Sequence, residues 1–231
     1  MSDHRARSVF VGSTFLVAMV ASLAGGGVLE SALGPGATRL VAGDARGLAL
    51  GVVLEMVNVI AVLGIAVGLY PLFRATWDGV ALGYVAVRIL ESVFLGLAAL
   101  APLVAASLVS AGRSEGGVVE SVPQGALLGL LAFRSEILGV MIPAFFAVGA
   151  VLLYLWLWTT ELVPRFVSAW GLLGVIGIVM ANVMDVGTPV MMALALPIIT
   201  NEIFLGVWLI VRGFTIPRRP TRPGARGAAP V

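Results

Sequence analysis

Six long apolar stretches, separated by short polar connections, constrain this chain more than any other feature. A hydrocarbon core about 30 Å thick is crossed by about 20 apolar residues at helical rise. The stretches run Ser8 to Leu29, Leu48 to Tyr70, Gly79 to Leu108, Ile137 to Trp158, Phe166 to Val186 and Met191 to Phe214. The third continues past Pro102 and the fourth has apolar residues back to Gln124, so both are expected to tilt or to carry an extra turn. Lipid offers backbone groups no hydrogen-bond partner, which leaves helices or a closed barrel, and the runs lack the ten-residue alternation of barrel strands. The expected fold is all-α, a polytopic membrane bundle of six transmembrane helices over residues 8–214. A short tail, 1–7, precedes it, and a basic, disordered tail, 215–231, follows.

Composition closes the soluble alternatives. Of the 231 residues, 60% are hydrophobic and 11% charged, with a mean hydropathy of +1.08, too little charge to clothe a soluble domain of this size. Cysteine is absent and the one histidine, His4, lies in the N-terminal tail. Thiolate or histidine-ligated metal, a cysteine nucleophile and a Ser-His pair therefore lose their support, and no cofactor is implied. All 14 basic residues are arginine, so a Schiff-base lysine is impossible.

Arginine placement sets the expected orientation. With both ends cytoplasmic, Arg5, Arg7, Arg74, Arg165, Arg212, Arg218, Arg219, Arg222 and Arg226 lie inside, against Arg39, Arg46 and Arg113 outside. Tyr70, Trp77, Tyr84, Tyr154, Trp156, Trp158 and Trp170 fall near the same boundary, where interfacial aromatic rings are favoured. The first stretch, preceded by Arg5 and Arg7, has features of a signal peptide, but its apolar run is longer than a usual signal core and is read as a retained span. The Pro-, Gly- and Arg-rich C-terminal tail reads as a topology signal that rests on anionic headgroups. It offers no folded basic surface for nucleic acid.

The informative residues are the ionisable groups inside the spans, since each costs at least a few kcal/mol in hydrocarbon unless paired, neutralised or hydrated. Glu55 and Asn58 share a face of the second span; Arg88, Glu91 and Ser92 form a polar stripe on the third. Arg134 and Glu136 stand near the outer end of the fourth, Asn182 and Asp185 end the fifth, and Thr200, Asn201 and Glu202 centre the sixth. From the run boundaries, Arg88 and Glu91 lie about 14 and 18 Å from one edge, and Glu55 and Glu202 about 11 and 17 Å from the other. These depths overlap, so the second, third and sixth spans are expected to converge on a single polar site. Two arginines, Arg88 and Arg134, face four carboxylates, Glu55, Glu91, Glu136 and Glu202. Complete pairing still leaves two acids, each of which must carry its proton or meet water, a bound cation or a cationic ligand. The competing reading is an Arg88–Glu91 ion pair, bridged to Glu55 or Glu202, that only fixes helix register.

Pro102, Pro143 and Pro197 fall within spans and release the carbonyls of Ala98, Gly139 and Ala193. Gly64 and Gly68, and Gly171, Gly174 and Gly177, are expected at close helix contacts. The Gly25–Gly27 run is expected to end or loosen the first helix.

Three segments, ALGYVAVRILESVFLG (Ala81 to Gly96), ELVPRFVSAWGLLG (Glu161 to Gly174) and NEIFLGVWLIVRGF (Asn201 to Phe214), resemble, in this order, the bacterial integral-membrane family catalogued as domain of unknown function 4386. The family's Arg-x-x-Glu step matches Arg88 and Glu91, and the acid ahead of its Leu-Gly-x-Trp-Leu-Ile run matches Glu202. The resemblance implies a six-span fold and no assigned activity.

Three functions follow from the residues. The leading one is a membrane protein that binds or transports a small polar or amphiphilic ligand, or protons, through a charged cavity. In it Arg88 holds an anionic group while Glu55, Glu91 or Glu202 tunes protonation, with Asn58, Arg134, Glu136 and Asn201 as further candidates. The second is an intramembrane enzyme that uses carboxylates as acid and base on a lipophilic substrate. The third is a structural or partner-binding role in which the polar residues specify assembly. The lipid bilayer is the partner common to all three, and the expected location is the bacterial cytoplasmic membrane.

Overall fold

The computed structural model describes residues 3–34, 45–114, 124–184 and 188–215. They form helices α1 (Asp3–Leu33), α2 (Ala45–Arg74), α3 (Asp78–Ser114) and α4 (Gln124–Glu136), a π-helical turn (Ile137–Met141), and helices α5 (Ile142–Thr160), α6 (Arg165–Val183) and α7 (Thr188–Val211). The α4, π-turn and α5 segments run on as one span, so six helices are long and apolar enough to cross a membrane. Most of the basic tail expected to be disordered lies outside the described residues.

Each span packs against the next, and α7 returns to α1, so the six close into a ring. Without a hydrophobic driving force between helices in lipid, close approach depends on small residues. A Cβ on Gly12 would meet the Gly206 carbonyl, one on Gly174 the Ile198 backbone 2.8 Å away, and one on Gly51 the Leu29 backbone at 3.0 Å. Gly64 and Gly68 face Phe10, Val11 and Thr14 on α1. The outer surface carries large apolar side chains on every span, Ile60, Leu82, Val148, Leu173 and Val207 among them, as a lipid-facing wall requires.

Both ends of the described chain meet at one end of the ring. Arg5 donates from Nη2 to the Ile210 carbonyl at 2.5 Å, and the Phe214 amide donates to Ser8 Oγ at 3.1 Å. That end is closed by an aromatic stack: Phe73 lies 4.3 Å from Trp156 and 5.1 Å from Tyr84 between ring centroids, and Trp156 Nε1 donates to Thr76 Oγ1 at 2.7 Å. Tyr84, Tyr154 and Trp156, expected in an interfacial belt, are instead wholly buried inside the ring. Hydropathy does not choose between the lipid face and the ring interior.

The opposite end is looser. The π-turn precedes Pro143, where the Ile142 amide reaches back to the Ile137 carbonyl, and the added residue re-aims α4. Helix α4 leans on α3, and no extensive contact joins it to α6. One local expectation fails. Helix α1 runs through Gly25–Gly27 to Leu33, because Gly25 seats against Leu54 Cβ and the Glu55 backbone nitrogen, where close packing outweighs the low helix propensity of glycine.

Candidate functional site

Arg88 and Glu91 occupy one turn of α3 and join through Nη1 to Oε2 at 2.6 Å, with both side chains about 4% exposed. The guanidinium carbon lies 5.8 Å from the Tyr84 ring centre, one turn earlier on the same helix, and 5.9 Å from Phe146 on α5. Gly149 makes room for the arginine stem: a Cβ there would stand 3.2 Å from Arg88 Cδ. The pair opens into a cavity of about 280 Å³, lined also by Asn58 of α2, Phe146 and Pro143 of the fourth span, and Ile198 and Glu202 of α7.

Glu202 is the residue that sets the cavity's charge. It lies opposite the Arg88–Glu91 pair and enters no ion pair among the described residues. Tyr84 and Tyr154 are within electrostatic reach of both Glu202 and Arg88; the Tyr84 hydroxyl lies beside the Arg88 guanidinium, and the buried Tyr154 hydroxyl has no hydrogen-bond partner among the described residues. The same holds for Arg88 Nε and Ser92 Oγ. Buried polar atoms left in this state are unusual and normally meet a water, an ion or a ligand.

The single convergent site expected from depth divides into two. Glu55 does not join Arg88 but takes Arg134, which donates from Nη1 and Nη2 at 3.0 and 2.7 Å. Arg134 Nη1 also donates to the Ala98 carbonyl at 2.7 Å. This clasp ties α2, α3 and α4 beside a second cavity of about 770 Å³, lined chiefly by apolar side chains together with Glu30, Arg134, Ser135 and Asn182. Pro143, Ile178 and Ala195 line both cavities, so the larger one, toward the end away from the termini, adjoins the smaller at these residues.

The remaining sequence candidates lie apart. Glu136 is exposed, two residues and about 200° of helix from the inward-facing Arg134. Asn201 is buried against α6, donates from Nδ2 to the Val167 carbonyl at 2.8 Å, and lines neither cavity. Thr200 is exposed and bonds its own helix, and Asp185 lies outside the described residues. Four participants were missed in the sequence: Tyr84, Phe146, Tyr154 and Glu30. Tyr84 had a legible signal, an aromatic ring four residues before an intramembrane arginine; the others depend on how distant spans meet.

A family model described as "Domain of unknown function (DUF4386)" matches residues 10–213. The chain belongs to this family. No curated protein and no solved structure matches it. The DUF4386 match takes in parts or all of every span, both buried ion pairs and Glu202, so the ring and its two cavities fall within the family's domain. No activity comes with that membership. Chemically, the inner cavity offers the Glu202 carboxyl, which has no ion-pair partner among the described residues, the Phe146 ring, and Arg88 with its unsatisfied Nε, a set suited to holding a small charged group or passing a proton.

Proposed function

We propose that this DUF4386 protein binds or transports a small polar or amphiphilic ligand, or protons, through the ring's interior. The observation that carries the reading is Glu202, a carboxylate in an intramembrane cavity with no cation among the described residues within ion-pair distance. A group of this kind is costly to keep without a partner and is the ordinary mark of a substrate or proton route. Arg88 takes a different part from the one its sequence position suggests. Its Nη1 is committed to Glu91 and its face to Tyr84 and Phe146, so it holds Glu91, and Glu202 is the group left to meet a ligand.

Nine arginines on one side against three on the other support a bacterial cytoplasmic membrane location with both termini inside, so that the larger cavity faces outward. The aromatic stack then closes the cytoplasmic end, as one closed state of an alternating route would require.

The test uses purified protein in sealed vesicles with an internal pH-sensitive dye and an imposed pH gradient, in the presence and absence of amphiphilic solutes. Wild type is expected to dissipate the gradient under at least one condition, and Glu202→Gln to abolish this while retaining its yield and elution profile. Flux in Glu202→Gln equal to wild type removes the proposal.

A further inference from the structure

The two cavities differ in chemistry, and the difference selects a ligand. Formal charges in the inner one sum to a single negative: Arg88 is balanced by Glu91, and Glu202 remains. In the outer cavity Arg134 is balanced by Glu55, and Glu30 at the rim has no ion pair among the described residues. Both compartments therefore favour a cation, and an anion would face an uncompensated carboxylate in each. The outer cavity is mostly apolar and adjoins the inner one at Pro143, Ile178 and Ala195, which sets room for a hydrocarbon chain next to the compartment that holds Glu202.

We propose that the paired cavities take an amphiphilic monocation, an alkylammonium whose head meets Glu202 in the inner cavity and whose tail lies in the outer one. This rests on the binding reading above and narrows it to one ligand class. A zwitterionic head carrying a phosphate is disfavoured, because the phosphate would sit near Glu202 or Glu30. A membrane phospholipid with an amine head and a soluble alkylammonium are thereby separated.

The experiment measures saturable binding of octyltrimethylammonium, octyl sulfate, octylphosphocholine and tetramethylammonium to protein in nanodiscs of neutral lipid, with empty nanodiscs as background. Octyltrimethylammonium is expected to bind wild type, and to bind Glu202→Gln roughly 30-fold or more weakly, the consequence of losing a desolvated charge partner. Octyl sulfate and octylphosphocholine are expected not to compete. Ala195→Trp, which narrows the junction between the cavities without adding or removing a charge, is expected to weaken the octyl probe by more than it weakens tetramethylammonium, and it tests the assignment even if Glu202→Gln misfolds. Saturable binding of octyl sulfate with none of the ammonium overturns the cation assignment and leaves ligand binding standing. Competition by octylphosphocholine equal to that of octyltrimethylammonium overturns the preference for a simple cation. Wild-type affinity for the octyl probe in Ala195→Trp overturns the placement of the tail. Absence of binding with Glu202-dependent proton flux intact removes this inference alone, and absence of both removes the proposed function as well.

Discussion

Arg134 donates a 2.7 Å hydrogen bond to the carbonyl of Ala98, the acceptor that Pro102 leaves without its helical amide. The same guanidinium grips both oxygens of Glu55. One side chain thus satisfies a backbone defect on α3 and a carboxylate on α2, from a position on α4 that has few other anchors.

Arg134→Ala is accordingly expected to destabilise the protein by about 3–5 kcal/mol, since it strands a buried carboxylate as well as a carbonyl. Arg134→Met combined with Glu55→Leu is expected to recover much of that loss. Thermal unfolding in detergent measures both; equal loss in the single and double variants would show that the two residues are not energetically coupled.

The Arg88–Glu91 pair gives a second cycle with a different outcome for function. Arg88→Leu alone is expected to cost about 3–5 kcal/mol, and Arg88→Leu with Glu91→Met to fold near wild type. In the double variant Glu202 keeps its place but loses the charged pair that lines the same cavity, so flux is expected to fall while stability is retained. Wild-type flux in the well-folded double variant would remove the pair from the route.

Glycine replacement separates packing from propensity. Gly174→Ala puts a methyl 2.8 Å from the Ile198 backbone, and overpacking of this kind costs about 1–3 kcal/mol. Gly83 has open space around its Cβ position, so Gly83→Ala is expected to gain about 0.5–1 kcal/mol of helix stability. Melting temperatures that fail to move in opposite directions would contradict the contact between α6 and α7.

At the closed end, Trp156→Phe keeps a ring against Phe73 but deletes the 2.7 Å bond to Thr76, a loss of about 1 kcal/mol. Trp156→Ala removes the stack as well and is expected to raise passive proton leak in vesicles. An unchanged leak in a correctly folded Trp156→Ala protein would mean that other side chains seal this end.

How much of this was legible in the sequence depended on which physical signal each residue gave. Run length alone located six spans, and the back-extension to Gln124 anticipated the long fourth span, because hydrocarbon thickness and helical rise leave little choice. The released Ala98 carbonyl was readable from Pro102 alone. What held it was not, because Arg134 reaches it from 36 residues away. The rotation of each helix was hidden too. A span that is apolar on all sides has no hydropathic face, so Glu55 and Glu91 looked interchangeable as partners for Arg88, and Tyr84 and Trp156 looked interfacial. Charge counting survives this ambiguity because it does not depend on rotation. Pairing Arg88 with Glu91 and Arg134 with Glu55 leaves Glu136 on the surface and Glu202 in the cavity.

The most direct test of an accessible, negatively charged interior exploits the absence of cysteine from the chain. Ala195→Cys would place one thiol where the two cavities adjoin, and its rates of modification by a trimethylammonium and a sulfonate methanethiosulfonate reagent can be compared in intact cells. The account predicts reaction from the outside, faster with the cationic reagent by about tenfold or more, and near-equal rates once Glu202→Gln is added. A thiol that reacts with neither reagent, or with both at the same rate while Glu202 is present, would contradict it.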